Sequence, residues 1–168
     1  MSVVFDKVRE VRWASMGDAA GRLGHLSGRE IIEGIRDGRV PPSPLALLIG
    51  FRVVEVEEGE VAFELEPRED LENLSSALHG GVAAALLDTA LGAALQTLLP
   101  AGQGFATLNL SVSYLRALIQ SSGLIRAEAS VQHRGRTSAY VLGDVRDSRK
   151  VLCAHAAGNF ALLNVKGR

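Results

Sequence analysis

Asp88 is the residue of this 168-residue chain whose setting most suggests chemistry. Between Glu72 and Arg116 no other Asp, Glu, Lys or Arg occurs, and Asp88 sits inside the most apolar helical stretch, GGVAAALLDTALGAALQTLL. A carboxylate taken out of water there loses solvation that only new partners can replace. Two readings follow. Asp88 is either satisfied by backbone or by a distant Arg, or kept as a carboxylate for general-base work. His79-Gly80-Gly81 stands directly before the same stretch. Helix starts expose unpaired amides at the positive end of the helix dipole, and glycine lets a ligand approach them closely. Such amides can polarise a carbonyl as an oxyanion hole does; the plainer reading is a loop-to-helix junction that needs glycine for its conformation. Gly80 and Asp88 are eight residues apart, about 12 Å along a helix. One helix cannot aim both at one reacting atom. If they share a site, that site lies at a subunit interface.

Other chemistry-bearing patterns are missing. No Gly-x-Ser-x-Gly elbow accompanies His-Gly-Gly, and no Walker A sequence occurs. Gly102 and Gly104 fall between helix and strand, the wrong context for a dinucleotide loop. His25, His79, His133 and His155 have no metal-ligand spacing, so no metal is expected. Cys153, the only cysteine, reads as a core-facing strand residue and excludes an internal disulfide, which suits a reducing compartment.

The elements that would position these residues read as α+β. Ser27 and Glu30 have capping-box spacing, Ile31, Ile32 and Ile35 form a stripe, and Gly38 is a stop. Pro41, Pro42 and Pro44 break the chain, and Leu45–Ile49 is expected to pack back on the body. From Phe51 the period becomes two. Val61, Phe63 and Leu65 alternate with Glu60, Glu64 and Glu66, and Glu58-Gly59 marks a hairpin turn. Residues 68–79 read as a polar loop. The Ala- and Leu-rich stretch at 80–99 is helical, apolar nearly all round, and ended by Pro100. Strands are expected near 105–116, 122–134, 136–147 and 150–163. One buried helix with a mostly antiparallel sheet gives a sheet wrapped around that helix, with edges that favour a second copy.

Hydrophobic residues make up 47% and charged residues 22%, an ordinary globular balance, and the net charge of -1 points to neither nucleic acid nor an anionic membrane. The charge is segregated. Residues 1–48 hold seven Lys/Arg against six Asp/Glu, residues 49–115 two against ten, and residues 116–168 nine against three. Solvated strand faces account for this, or a basic third that meets a polyanionic ligand. MSVVFDKVREVRW lacks the apolar run of a signal peptide, and Val82–Leu99 is too interrupted for a membrane span. A soluble cytoplasmic protein is expected.

The stretch from Asn73 through His79-Gly80-Gly81 to Asp88-Thr89-Ala90 resembles the signature of hotdog-fold acyl-CoA thioesterases of the phenylacetic-acid-pathway (PaaI-like) type. The likeness runs from about Ser27 to Leu162 and includes Val40-Pro41-Pro42, Thr107-Leu108-Asn109-Leu110 and Gly135-Arg136. It implies a hotdog domain at 49–168 behind an N-terminal helical extension at 1–48. It implies that Asp88 is the catalytic carboxylate, activating water or attacking the thioester. Gly80 would polarise the carbonyl through its amide, Asn73 would orient thioester or water, and His79 would support the loop. Thr107 would hold water near Asp88, or is a plain strand-surface threonine. Asn73, His79 and Gly80 would come from one subunit, with Asp88 and Thr107 from the other. A homodimer with interface sites, paired into a tetramer, is implied, with acyl-CoA as the partner and no metal or redox cofactor. Arg116, Arg134 and Arg136 are candidates for the CoA phosphates, or simply solvated. The chain departs from the family at Ala117, where Pro is common, and at Ser75-Ser76-Ala77 and Asp147–Lys150, where Gly is common.

An Ala- and Leu-lined pocket suits aryl and medium acyl chains equally. Two other readings keep the fold: a non-catalytic acyl-CoA binder, and an enoyl-CoA hydratase or dehydratase. The intact Asn73, Gly80 and Asp88 set speaks against the binder. The hydratase would need a His and acid pair at one carbon, which His79 and Asp88 do not obviously supply in one chain.

Overall fold

The computed structural model describes residues 6–164. The first five residues of the expected extension and signal-peptide reading, and Lys166 and Arg168 of the basic third, lie outside the described residues. Three short helices lead: α1 (Met16–Leu23), α2 (Gly28–Arg36) and α3 (Pro44–Ile49). Then come β1 (Arg52–Glu57), β2 (Glu60–Leu65), α4 (Gly80–Gln96), β3 (Gln103–Tyr114), β4 (Ile125–Arg134), β5 (Ser138–Arg146) and β6 (Leu152–Asn164). The strands form one antiparallel sheet in the order β1-β2-β4-β5-β6-β3.

Local chemistry sets most boundaries. The Ser27–Glu30 capping box forms in both directions, and the chain leaves α2 through Gly38 at φ 74°. Gly59 turns the β1–β2 hairpin at φ 77°, and its amide donates to Thr97 Oγ1 at 2.7 Å. α4 ends at Gln96, three residues earlier than its apolar run suggests, because the turns before Pro100 tighten there.

α4 lies across one face of the sheet. That face presents Val61, Phe63, Leu65, Ile125, Ala127, Val141, Val145, Ala154, Ala156 and Phe160, all buried. The helix sits close because Gly143 and Gly158 carry no side chain: a Cβ there would come within 2.5 Å and 2.9 Å of Leu91. Leu86, Leu87, Ala90, Leu91, Ala94 and Leu95 fill the contact, and Ile32, Ala46 and Ile49 of the leading helices join the same core. α2 starts on the far end of α4. The Gly28 amide donates to the Leu99 carbonyl at 2.8 Å, and a Cβ on Gly28 would strike the Gln96 carbonyl.

The opposite sheet face is ionic. Arg126 pairs with Glu55 and, at 2.7 Å, with Glu128; Arg52 pairs with Glu64 at 2.9 Å; Asp144 takes both Arg146 and His155. Arg126 is where the two blocks meet, beside Glu55 and Glu64 of the acidic stretch; the other pairs named here join residues of one block.

The two loops that lack an expected glycine force non-glycine residues into left-handed backbone: Ser76 at φ 54° and Lys150 at φ 65°. The second loop is fixed by Asp147, whose carboxylate accepts from the Val151 and Arg149 amides at 2.9 Å each. The Val151 amide first, then Arg149, hold that carboxyl below the usual range.

Candidate active site

The residues singled out in the sequence fall into two clusters. The first surrounds the start of α4. Asn73 opens the loop, and its Oδ1 accepts from the Ser75 amide at 2.8 Å and the Ala77 amide at 3.3 Å. That leaves its Nδ2 as the group free for other work. His79 is the N-cap, and its Nδ1 accepts from the Gly81 amide at 3.0 Å, which leaves the ring proton on Nε2. The Val82 amide donates to the His79 carbonyl at 2.8 Å. Gly80 occupies the first helical position, whose N–H has no intrahelical acceptor. The loop is tied down by Leu78 N–H to Leu118 O at 2.7 Å and His79 N–H to Leu71 O at 2.8 Å.

Asn73, Gly80, Tyr114, Arg116, Leu118 and Cys153 line one cavity of about 360 Å³. Arg116 puts the one formal positive charge on its wall. Burial, and then Asp147, push the Cys153 thiol up, and its Sγ donates to the Val151 carbonyl at 3.3 Å. It is a core thiol, as its strand position suggested.

The second cluster lies at the middle of α4. Phe105 and Thr107 alternate onto one face of β3, and Asp88 and Gly92 share one face of α4. Phe105 packs on Gly92, where a Cβ would come within 2.8 Å of its ring, and edge-on to Phe160 at 5.5 Å. One step along each element, the Thr107 hydroxyl donates to Asp88 Oδ1 at 3.1 Å. Asp88 is half-buried and borders a cavity of about 300 Å³ with Ile31, Ile32, Ala93, Gln96, Phe105 and Thr107.

The two cavities share no lining residue, and the exposed His79 side chain borders neither. Arg134 and Arg136 border neither cavity; Arg134 donates to Gln103 Oε1 at 3.4 Å. Tyr114, whose hydroxyl donates to the Gly80 carbonyl at 2.9 Å, was not singled out from the sequence. Its only signal there is an aromatic beside the strand-ending Leu115-Arg116, and a partner 34 residues away is invisible without the topology.

Six antiparallel strands with one long helix laid across them, preceded by short helices, define an α+β hotdog fold. Among solved structures, a conserved protein of Pseudomonas aeruginosa is similar at 31% identity and a TM-score of 0.68, over 73% of this chain and 95% of that one. A proposed thioesterase of Ralstonia eutropha, described as phenylacetic acid degradation-related, matches at 25% identity and a TM-score of 0.71, over 78% and 98%. The PaaI protein of the Escherichia coli phenylacetic acid degradation operon shares the fold at 17% identity and a TM-score of 0.72, over 83% and 96%.

The family model of the thioesterase superfamily matches residues 76–154. A proposed esterase of Halobacterium salinarum is 33% identical over 127 residues, covering 69% of this chain and 82% of that protein. This chain belongs to the thioesterase superfamily. Membership supports hydrolase chemistry of the thioesterase type.

Proposed function

We propose that the protein hydrolyses acyl-CoA thioesters at sites composed from two copies of the chain. One observation carries the reading: Gly80 and Asp88 open into separate cavities, while the long edge strand β3 borders both. β3 carries Thr107 at one cavity and Tyr114 at the other, and β6 is its one strand neighbour in the sheet. Two β3 edges related by a two-fold axis pair antiparallel. The Thr107 end of one then lies beside the Tyr114 end of its partner, and the Asp88 of one chain approaches the Gly80 of the other.

In that arrangement the Gly80 amide stabilises charge on the thioester oxygen, a contribution of about 3–4 kcal/mol per donor in known enzymes. Thr107 holds one oxygen of Asp88, and the other serves as base or nucleophile on the carbonyl carbon. Asn73 Nδ2 donates to the thioester or to water. The acyl group occupies the cavity bounded by Ile31, Ile32 and Phe105, whose volume suits an aryl or medium-length acyl group. Arg116 meets the CoA side, with Arg134 and Arg136 as the further basic candidates for its phosphates.

Thiol release from a panel of aromatic and aliphatic acyl-CoAs tests the reading. The wild type is expected to release thiol, and Asp88→Ala, folded to the same melting temperature or higher, to lose at least about a hundredfold, or roughly 2.7 kcal/mol. Binding without release would assign the protein to the non-catalytic binders; hydration of enoyl-CoA would assign it to the hydratases. Equal activity in both proteins would remove Asp88 from the chemistry.

A further inference from the structure

We infer that Tyr114 is a positioning residue that, with His79, clamps the peptide unit between Gly80 and Gly81 and so leaves the Gly80 N–H as the one aimed amide of the helix start. The inference rests on the thioesterase reading above for its functional consequence and on geometry for its mechanism.

Two consecutive glycines at a helix start are a poor foundation for an oxyanion donor, because each samples more backbone conformations than any other residue. Something has to remove that freedom. The peptide linking Gly80 to Gly81 is held at both of its polar atoms. Its carbonyl oxygen accepts from the Tyr114 hydroxyl at 2.9 Å. Its N–H donates to His79 Nδ1 at 3.0 Å. The next amide, Val82 N–H, is taken by the His79 carbonyl. No hydrogen bond from the Gly80 amide occurs among the described residues, so the clamp leaves one donor of the first turn unspent.

Tyr114 is itself well anchored. It ends β3, and the amides of Leu115 and Arg116 both donate to the Cys153 carbonyl, at 2.8 Å and 3.1 Å. Four residues on, the Leu118 carbonyl accepts from Leu78 in the loop that enters α4. The phenol therefore reaches Gly80 from a segment tied to both β6 and the His79 loop. Its ring also lies against Gly80, where a Cβ would stand 3.3 Å from the nearest ring carbon. The ring thus fills the side of Gly80 where any other residue would carry its Cβ.

A residue that only stabilised the fold would act on melting temperature, substrate affinity and turnover together. A residue that aims a donor used in the transition state acts on kcat alone. Tyr114→Phe keeps the ring and its packing and removes only the hydroxyl. It is expected to lower kcat roughly tenfold with KM within about twofold, since small misplacement of a catalytic group has effects of that order or larger. Affinity for a CoA thioether, which has no carbonyl to polarise, should not change. Amide exchange read by nuclear magnetic resonance supplies a measure independent of activity: Gly81 protected and Gly80 fast in the wild type, with Gly81 accelerated in Tyr114→Phe. Tyr114→Leu, which also removes the ring packed against Gly80, should fall further in kcat than Tyr114→Phe. Unchanged kcat in Tyr114→Phe, or equal loss in kcat, thioether binding and melting temperature, would overturn the inference. A wild type that releases no thiol would sink the hydrolase reading and the functional half of the clamp, and the exchange pattern would still decide its geometry.

Discussion

The first turn of α4 and its middle, eight residues apart, place polar groups against an apolar element by opposite means. At the start the working group is backbone. Asn73, His79 and Tyr114 all spend side-chain atoms on other residues' main chain, and the result is a fixed loop with one free amide. In the middle the working group is a side chain. Among the described residues Asp88 has one side-chain partner, the hydroxyl of Thr107, and it borders a cavity walled largely by Ile31, Ile32, Ala93 and Phe105. Backbone polarity needs a scaffold of hydrogen bonds around it and is complete within one chain. Side-chain polarity needs only one helical position and one strand position, and it leaves its open side for whatever docks there.

Mixing two inactive proteins puts that contrast to its hardest test. Asp88→Asn damages the middle and Asn73→Ala the start. If each site takes one part from each chain, a mixed dimer regains one intact site, and a statistical mixture of subunits recovers about a quarter of wild-type thiol release. A mixture that stays as inactive as its components would place both parts of a site in one chain. Thr107→Val addresses the middle alone. It removes the hydroxyl that donates to Asp88 Oδ1 and should lower kcat by about five- to tenfold without changing oligomeric state by size-exclusion chromatography. The smallest effect is expected at the loop that feeds the helix start. Ser76→Gly relieves a left-handed residue and should raise stability by about 0.5 kcal/mol, roughly 1–2 °C in thermal melting, with kcat unaltered. A change of kcat there would mean that the loop is less firmly set than its hydrogen bonds indicate.

Much of this arrangement was legible in the residues. The Ala- and Leu-rich composition marked α4, period-two alternation marked β2, and the capping box marked α2, because each is a local property of a few neighbouring side chains. Strand ends fell within about three residues of expectation, where turns instead of periodicity decide the boundary. The joining of Thr107 to Asp88 was implied only by family likeness; its physical cause is a strand face and a helix face that the topology brings together. Tyr114 escaped notice for the same reason. Asn73 was expected to act through its side chain without regard to which end, yet its carbonyl is consumed by a local turn, a competition typical of short polar residues. The segregation of charge suggested two opposite explanations, and only the strand order shows Glu55 and Glu64 standing beside Arg126.

Gly28 has a bearing on the helix start that its place in the fold conceals. Its amide sits on the Leu99 carbonyl, so the positive pole of α2 rests on the negative pole of α4. Where two such poles meet they largely cancel, so the far end of α4 is partly neutralised while its first turn at Gly80 keeps its own partial charge, roughly half a unit. A segment outside the sheet thus occupies the end of α4 that carries no candidate group and leaves the other end to the ligand.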